Sequence, residues 1–228
     1  MITPSSLSSG SKIALVAPAR KVAEDDIAFA VEYVRQRGFV PIYDERLFLS
    51  YNQFAGNDEQ RASVLQHYLD ADDIDAIMCV RGGYGTVRII DRLDFDKFMQ
   101  KPKWIVGYSD VTVLHAKMQS LGIESLHATM PINFQDNSKQ ALDTLFDALC
   151  GKEIKYDLPQ QTLNVLSMMQ GEVVGGNISV LYSLLGSDIF PDVEGKVLFL
   201  EDLDEYLYHI DRMMMAFQRA GIFDKISG

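Results

Sequence analysis

The chain is poor in the residues that cross-link, bind metal or span a membrane. Only two of its 228 residues are cysteine and four are histidine. Cys79 and Cys150 are too few for a disulfide framework, and Cys79 sits in an apolar run where a small buried hydrophobe belongs. Reduced thiols in a cytoplasm fit best. No histidine pair has metal-ligand spacing such as H-E-x-x-H, and both cysteines stand alone, so no metal is expected. No apolar run reaches the ~18 residues a spanning helix needs. The Ser-rich start, Met1 to Ser11, carries no apolar stretch of signal-peptide length. A protein with no membrane segment and no export signal is expected. Basic charge is scarce as well: 21 lysines and arginines face 32 acids, a formal charge of −11. That balance argues against a general nucleic-acid or anionic-membrane face.

What is present is apolar patterning. At 47% hydrophobic content the chain can bury a sizeable core in one large or two small domains. Lys12–Pro18 reads as a strand, and Ile27, Val31 and Val34 mark a helix over Asp25–Arg37, closed by Gly38. Val40–Tyr43 reads as a second strand. Asn57-Asp-Glu-Gln60 has the form of a capping box opening a helix to about Leu69. Further strands are expected at Ala76–Val80, Trp104–Val106 and Glu124–His127. This alternation predicts an α/β fold with a mainly parallel sheet covered on both faces. Near Cys150–Gln161 the pattern changes, so residues 1–150 are taken as an N-terminal domain, 151–165 as a linker and 166–228 as a smaller, incomplete C-terminal domain, α/β or β-rich. That second unit is expected to hold a helix from about Ile178 to Leu185, a strand Lys196–Leu200 and a helix Tyr206–Ala220.

The segment Ile105-Val-Gly-Tyr-Ser-Asp110 carries the sharpest chemistry. A serine on a tight strand-to-helix turn has its hydroxyl clear of the sheet and unpaired helix N–H groups beside it, the needs of a nucleophile and its oxyanion hole. Ser109 has two readings on this pattern, nucleophile or N-cap of an Asp110–Gln119 helix. The final glycine of the hydrolase elbow is absent, since position 111 is Val. Arg81-Gly-Gly-Tyr-Gly85 follows a strand directly, at the carboxyl edge of the sheet where open α/β proteins place ligands. Its glycines let backbone N–H groups approach an anion, although a tight turn explains them equally. It has neither the G-x-G-x-x-G spacing nor a following Gly-Lys-Ser/Thr, so nucleotide binding is unsupported and no cofactor is expected. Glu201 ends an apolar strand and is placed either to orient a histidine or to face water. His115, about 9 Å along the helix from Ser109, is expected to be packed rather than to take its proton. His67 and His209 lie in helices. His127 ends a strand, where it can reach a site or serve structurally.

Arg81-Gly-Gly-Tyr-Gly85, Gly107-Tyr-Ser109-Asp110, Gly175-Gly-Asn177 and Leu200-Glu201-Asp202, in this order and spacing, resemble the LD-carboxypeptidase family of serine peptidases. Tyr208-His-Ile-Asp-Arg212 resembles the family's segment after the glutamate. The resemblance implies a Ser-Glu-His triad with Ser109 as nucleophile and Glu201 as the orienting acid. It places the oxyanion hole at the N–H of Asp110 and an N–H of Gly82 or Gly83. Arg81, Tyr84, Asn177 and Arg212 become substrate-binding candidates, with Arg212 suited to a carboxylate. The implied substrate is a muropeptide tetrapeptide, cut before its terminal D-alanine in cytoplasmic cell-wall recycling, and a homodimer is implied as well. Two departures stand out. His127-Ala-Thr-Met130 replaces the usual His-Gly-Pro-Met, and none of the four histidines occupies the family's downstream histidine position. A truncated chain with little or no activity is therefore the expectation. The microcin-immunity branch of the same family and a catalytically silent binding module remain as alternatives.

Overall fold

The computed structural model describes residues 1–157, 159, 161–165 and 168–228. Strands β1 (Lys12–Val16), β2 (Val40–Ile42), β3 (Ala76–Cys79), β4 (Trp104–Gly107) and β5 (Leu126–His127) form one sheet in the order β2-β1-β3-β4-β5. Every pairing in it is parallel. Side-chain alternation along each strand splits the apolar residues between two faces. Ala14, Val16, Ile77, Cys79 and Ile105 pack on one side, while Ile13, Leu15, Met78, Trp104 and Val106 pack on the other. Burial on both faces explains why these strands read as continuous apolar runs.

Helices supply the covers. The helices α1 (Glu24–Gln36) and α5 (Lys139–Leu149) bury Ile27, Val31, Leu142 and Phe146 on the second face, and α2 (Asp58–Asp70) buries Leu65 and Leu69 on the first. The capping box at Asn57 is present: its side chain accepts from Gln60 N–H at 2.9 Å and the Gln60 side chain accepts from Asn57 N–H at 2.9 Å. Lys103, buried under the last turn of α2, donates to the carbonyls of Leu69 and Ala71 at 2.8 Å each, satisfying groups the helix leaves orphaned. The short α3 (Asp96–Gln100) and α5 lie outside the elements expected from the sequence, although Ser138 caps α5 by accepting from Ala141 N–H at 3.1 Å.

The second unit is built on β6 (Val173–Asn177) and β7 (Val197–Glu201), a parallel two-stranded sheet whose register sets Asn177 beside Glu201. Helices α6 (Ile178–Leu184) and α7 (Leu207–Arg219) bury Ile178, Leu181, Met213 and Phe217 against it. β6 docks on α4 (Thr112–Ser120) through glycine: a Cβ on Gly176 would stand 2.6 Å from Thr112 Oγ1, and one on Gly175 would strike the Phe199 backbone at 1.9 Å. The close approach lets Asn177 N–H donate to Thr112 Oγ1 at 3.0 Å. Between α5 and β6 the described residues form no helix or strand. Leu158 and Gln160 of the expected linker, and Leu166 and Ser167 at the start of the expected second domain, lie outside the described residues. Among the described residues no helix is long and apolar enough to cross a membrane.

Candidate active site

Ser109 stands at the carboxyl end of β4 with φ +61°, the left-handed region that costs a non-glycine residue about 1–2 kcal/mol. The expected Asp110–Gln119 helix opens instead with a tight 3-10 turn, Ser109–Val111, before α4 begins at Thr112. An N-cap residue has extended backbone and bonds the first turn with its side chain. Ser109 does neither: its backbone is left-handed, and its hydroxyl takes no hydrogen bond among the described residues. The strain fits a site residue better than a cap.

The glycine loop that follows β3 lies directly against this hydroxyl. A Cβ on Gly82 would stand 3.1 Å from Ser109 Cβ and 3.2 Å from Ser109 Oγ, so the absence of a side chain keeps the space beside the serine open. Gly83, at φ +112°, is packed on the Arg20 side chain. Among the described residues the N–H groups of Gly82, Gly83 and Asp110 donate to no acceptor, which leaves them available to an oxygen brought to Ser109.

A cavity of about 330 Å³ opens here, lined by Tyr84, Ser109, Asp110, Asn177, Asp202 and Glu205 among others. The Asn177 side chain is engaged at both ends, accepting from Val180 N–H at 3.1 Å as the cap of α6 and donating to Asp202 Oδ1 at 3.0 Å. Ser179 N–H and hydroxyl hold the other Asp202 oxygen at 3.1 and 2.6 Å. These bonds, acting against burial, keep Asp202 below the usual carboxylate range.

Glu201 behaves differently. Its Oε1 is buried and has no hydrogen-bond partner among the described residues, and burial pushes its carboxyl above the ordinary value, opposed by the Asn177 side chain and reinforced by Asp202. Burial, with a smaller contribution from the Glu201 charge, raises the Tyr108 phenol. His127 Nε2 lies 3.8 Å from Glu201 Oε1. The His127 ring lines a second cavity of about 330 Å³ together with Trp104, His115 and Phe199, and is not among the residues lining the cavity at Ser109. The other histidines are committed elsewhere. His115 is packed as expected, with Nδ1 2.8 Å from Ser125 Oγ and Nε2 2.8 Å from the Gly107 carbonyl. His209 Nδ1 lies 2.5 Å from Glu205 Oε2, and His67 is exposed on α2 against the Tyr68 ring.

Residues 13–128 match the LD-carboxypeptidase N-terminal domain, and residues 170–228 match the LD-carboxypeptidase C-terminal domain. The chain belongs to the LD-carboxypeptidase family. A Bacillus subtilis relative named "Probable murein peptide carboxypeptidase" is 32% identical and covers 99% of this chain and 72% of its own. The crystal structure of muramoyltetrapeptide carboxypeptidase from Oxalobacter formigenes superposes with a TM-score of 0.81 at 28% identity, over 95% of this chain and 74% of that one. The microcin C7 self-immunity protein of Escherichia coli is 25% identical over 92% of this chain and 71% of its own. One of its structures has a TM-score of 0.87 over 100% of this chain and 79% of that chain. The relatives' names assign this LD-carboxypeptidase family member to a peptidase family.

The cavity brings together five of the residues singled out from the sequence: Ser109, Asp110, Gly83, Tyr84 and Asn177, with Gly82 against the serine. Arg81, Glu201 and Arg212 are outside its lining. Arg81 Nη1 donates to the Lys21 carbonyl at 3.1 Å, and the exposed Arg212 guanidinium sits 5.5 Å from the centre of the Tyr208 ring. The sequence reading missed Thr86, Met130, Ser179 and Glu205. Thr86 and Met130 each stand close after a segment already under scrutiny, but nothing in their local pattern says that the fold sets Thr86 on the Asp110 carboxylate and Met130 beside Gly82.

Proposed function

We propose that this chain carries the nucleophile, oxyanion donors and orienting acid of a serine carboxypeptidase acting on muropeptide tetrapeptides in cytoplasmic peptidoglycan recycling. The observation that carries the reading is the left-handed Ser109 with a free hydroxyl, set against the open face of Gly82. The Ser109 oxygen attacks the carbonyl carbon of the L,D bond before terminal D-alanine. Its proton passes to a base, and the developing oxyanion is met by the N–H of Asp110 and of Gly82 or Gly83. Expulsion of D-alanine, with its amine reprotonated, leaves an acyl-serine that water then hydrolyses. Glu201, with its unpartnered Oε1, is the acid suited to orient the N–H of such a base, a partner that none of this chain's histidines supplies beside Ser109 among the described residues. Tyr84 and Asn177 line the substrate's place, while Arg81 and Arg212 reach it by leaving the Lys21 carbonyl and the Tyr208 ring. A homodimer belongs to the same reading.

No histidine of this chain faces the Ser109 cavity among the described residues. Loss of one triad member typically lowers turnover by about 10⁴ to 10⁶-fold, so the polypeptide tested alone should release D-alanine slowly. The test is D-alanine release from L-Ala-γ-D-Glu-meso-diaminopimelate-D-Ala, with Ser109→Ala as control and imidazole added as a free base. Slow release that needs Ser109 and rises with imidazole is expected. Peptide binding with no Ser109-dependent release favours a silent binding module, the reading that the histidine placement also supports. Cleavage of an acyl-sulfamoyl nucleotide in place of the peptide moves the activity to the microcin-immunity type.

A further inference from the structure

Asp110, next to Ser109 in the chain, is nearly fully buried, 3% exposed, and a buried polar side chain needs hydrogen-bond partners. Among the described residues its hydrogen-bond partners come from one residue. Thr86 N–H and Thr86 hydroxyl both donate to Asp110 Oδ2, at 2.9 and 2.7 Å. Thr86 itself is wholly buried and follows Gly85 directly, at the exit of the glycine loop. On the other side of that exit stands Arg61, buried to 2% exposure inside α2. Its Nη1 donates to the Gly85 carbonyl at 2.9 Å and to the Pro18 carbonyl, and its Nη2 pairs with Asp58. A Cβ on Gly85 would meet Arg61 Nη1 at 2.8 Å, so guanidinium and loop are in direct contact.

We infer that Thr86 and the Asp110 side chain form a strut between the two halves of the oxyanion site, and that both are positioning residues. This rests on the reading of Gly82, Gly83 and Asp110 as oxyanion donors. The glycine loop and the serine turn leave different strands, β3 and β4, and past the strand ends no sheet bond joins them among the described residues. Glycines at 82, 83 and 85 make the loop compliant, since each lacks the Cβ that restricts φ and ψ. An oxyanion hole works only if its donors stay within a few tenths of an ångström of one geometry. The strut supplies that constraint from the serine side and Arg61 supplies it from behind. Because Oδ2 alone accepts both bonds, the function needs one acceptor oxygen at position 110, not a negative charge. The Asp110 N–H is a backbone group and survives any substitution there.

The experiment measures backbone amide order parameters of Gly82 and Gly83 by ¹⁵N relaxation in the full chain, together with kcat and KM for D-alanine release. In the parent protein both glycines should be rigid, with order parameters of about 0.85. Asp110→Ala and Thr86→Val should lower them below about 0.6. Asp110→Asn, which keeps the acceptor oxygen, should retain rigid glycines. The same Ala variant should reduce kcat by about 10²-fold with little change in KM, and the Asn variant should keep most of the rate. Rigid glycines in both Asp110→Ala and Thr86→Val overturn the strut, as does an Asp110→Asn protein as mobile as the alanine variant. Absence of D-alanine release from the parent protein rejects the proposed reaction, while the order parameters still decide the strut.

Discussion

His127 Nε2 lies 3.8 Å from Glu201 Oε1, near enough for contact and too far for a hydrogen bond. Burial lowers the His127 pKa and keeps the ring neutral near pH 7, so it offers Glu201 little charge compensation. Oε1 of this half-buried carboxylate is therefore buried beside an uncharged ring and unpartnered among the described residues. That state disfavours its ionised form and preserves its capacity to accept an N–H.

Glu201→Gln should raise stability near neutral pH. A carboxyl whose folded pKa is raised contributes stability below its unfolded value, about 4.3, and loses it as pH rises through the folded value. The variant should therefore melt above the parent protein near pH 7, with the gap closing toward about pH 4. Melting curves at the two pH values check it, and a variant less stable than the parent at neutral pH sinks the idea.

The strained backbone at position 109 predicts an order among its variants. Ser109→Gly removes the Cβ that makes φ +61° unfavourable, whereas Ser109→Ala keeps it. The glycine variant should be more stable than the alanine variant by up to about 1 kcal/mol, the gain being reduced by glycine's larger unfolded-state entropy. Urea unfolding of the pair decides, and equal midpoints would contradict a stored strain.

Adding one carbon at position 82 should block the reaction while leaving the fold in place. The new methyl of Gly82→Ala would stand 3.2 Å from Ser109 Oγ and 3.3 Å from Met130 Cε, in the space an incoming carbonyl must enter. A fall of at least about 10²-fold in kcat/KM is expected, the scale of losing one oxyanion donor, with an unchanged circular dichroism spectrum. Full activity would show that substrate approaches Ser109 from elsewhere.

Acid should unfold the protein partly through His115. Burial pushes its pKa down from 6.5 to about 4, outweighing the Gly107 carbonyl bond. A depressed folded pKa means that the unfolded chain binds the extra proton first, so stability is full above about 6.5 and is lost as pH falls toward 4. His115→Gln should flatten the stability profile across that window, although it lowers the plateau. Chemical denaturation at steps between those pH values reads the slope.

Much of this fold is written locally. Apolar runs of four or five residues, the Asn57 capping box and the 3.6-residue spacing over Ile27, Val31 and Val34 each act within one or two turns of chain. Short-range geometry suffices for them. The Gly107-Tyr-Ser109 turn was legible for the same reason. Element ends were less so: β5 reduces to Leu126–His127, because an edge strand keeps only the residues its neighbour pairs. Helix α5, with its Ser138 cap and buried Leu142, Leu145 and Phe146, had the signals of a helix and was passed over.

The choice between nucleophile and cap at Ser109 lay beyond the local pattern, since both place a serine at a helix start and differ in the backbone angle, φ +61° here, and in what the hydroxyl meets. The Thr86–Asp110 bonds join residues 24 apart, and the cavity that joins Ser109 to Asp202 spans two units of the fold. Such pairings depend on how sheets dock, through Gly175 and Gly176 on Phe199 and Thr112. The amino-acid sequence by itself determined which strands and helices form and which turn carries a serine, because propensity, capping and periodicity act over a few residues. Which groups surround that serine, and how buried each carboxylate is, the tertiary structure alone decided, because desolvation and distance are properties of packed neighbours far apart in the chain.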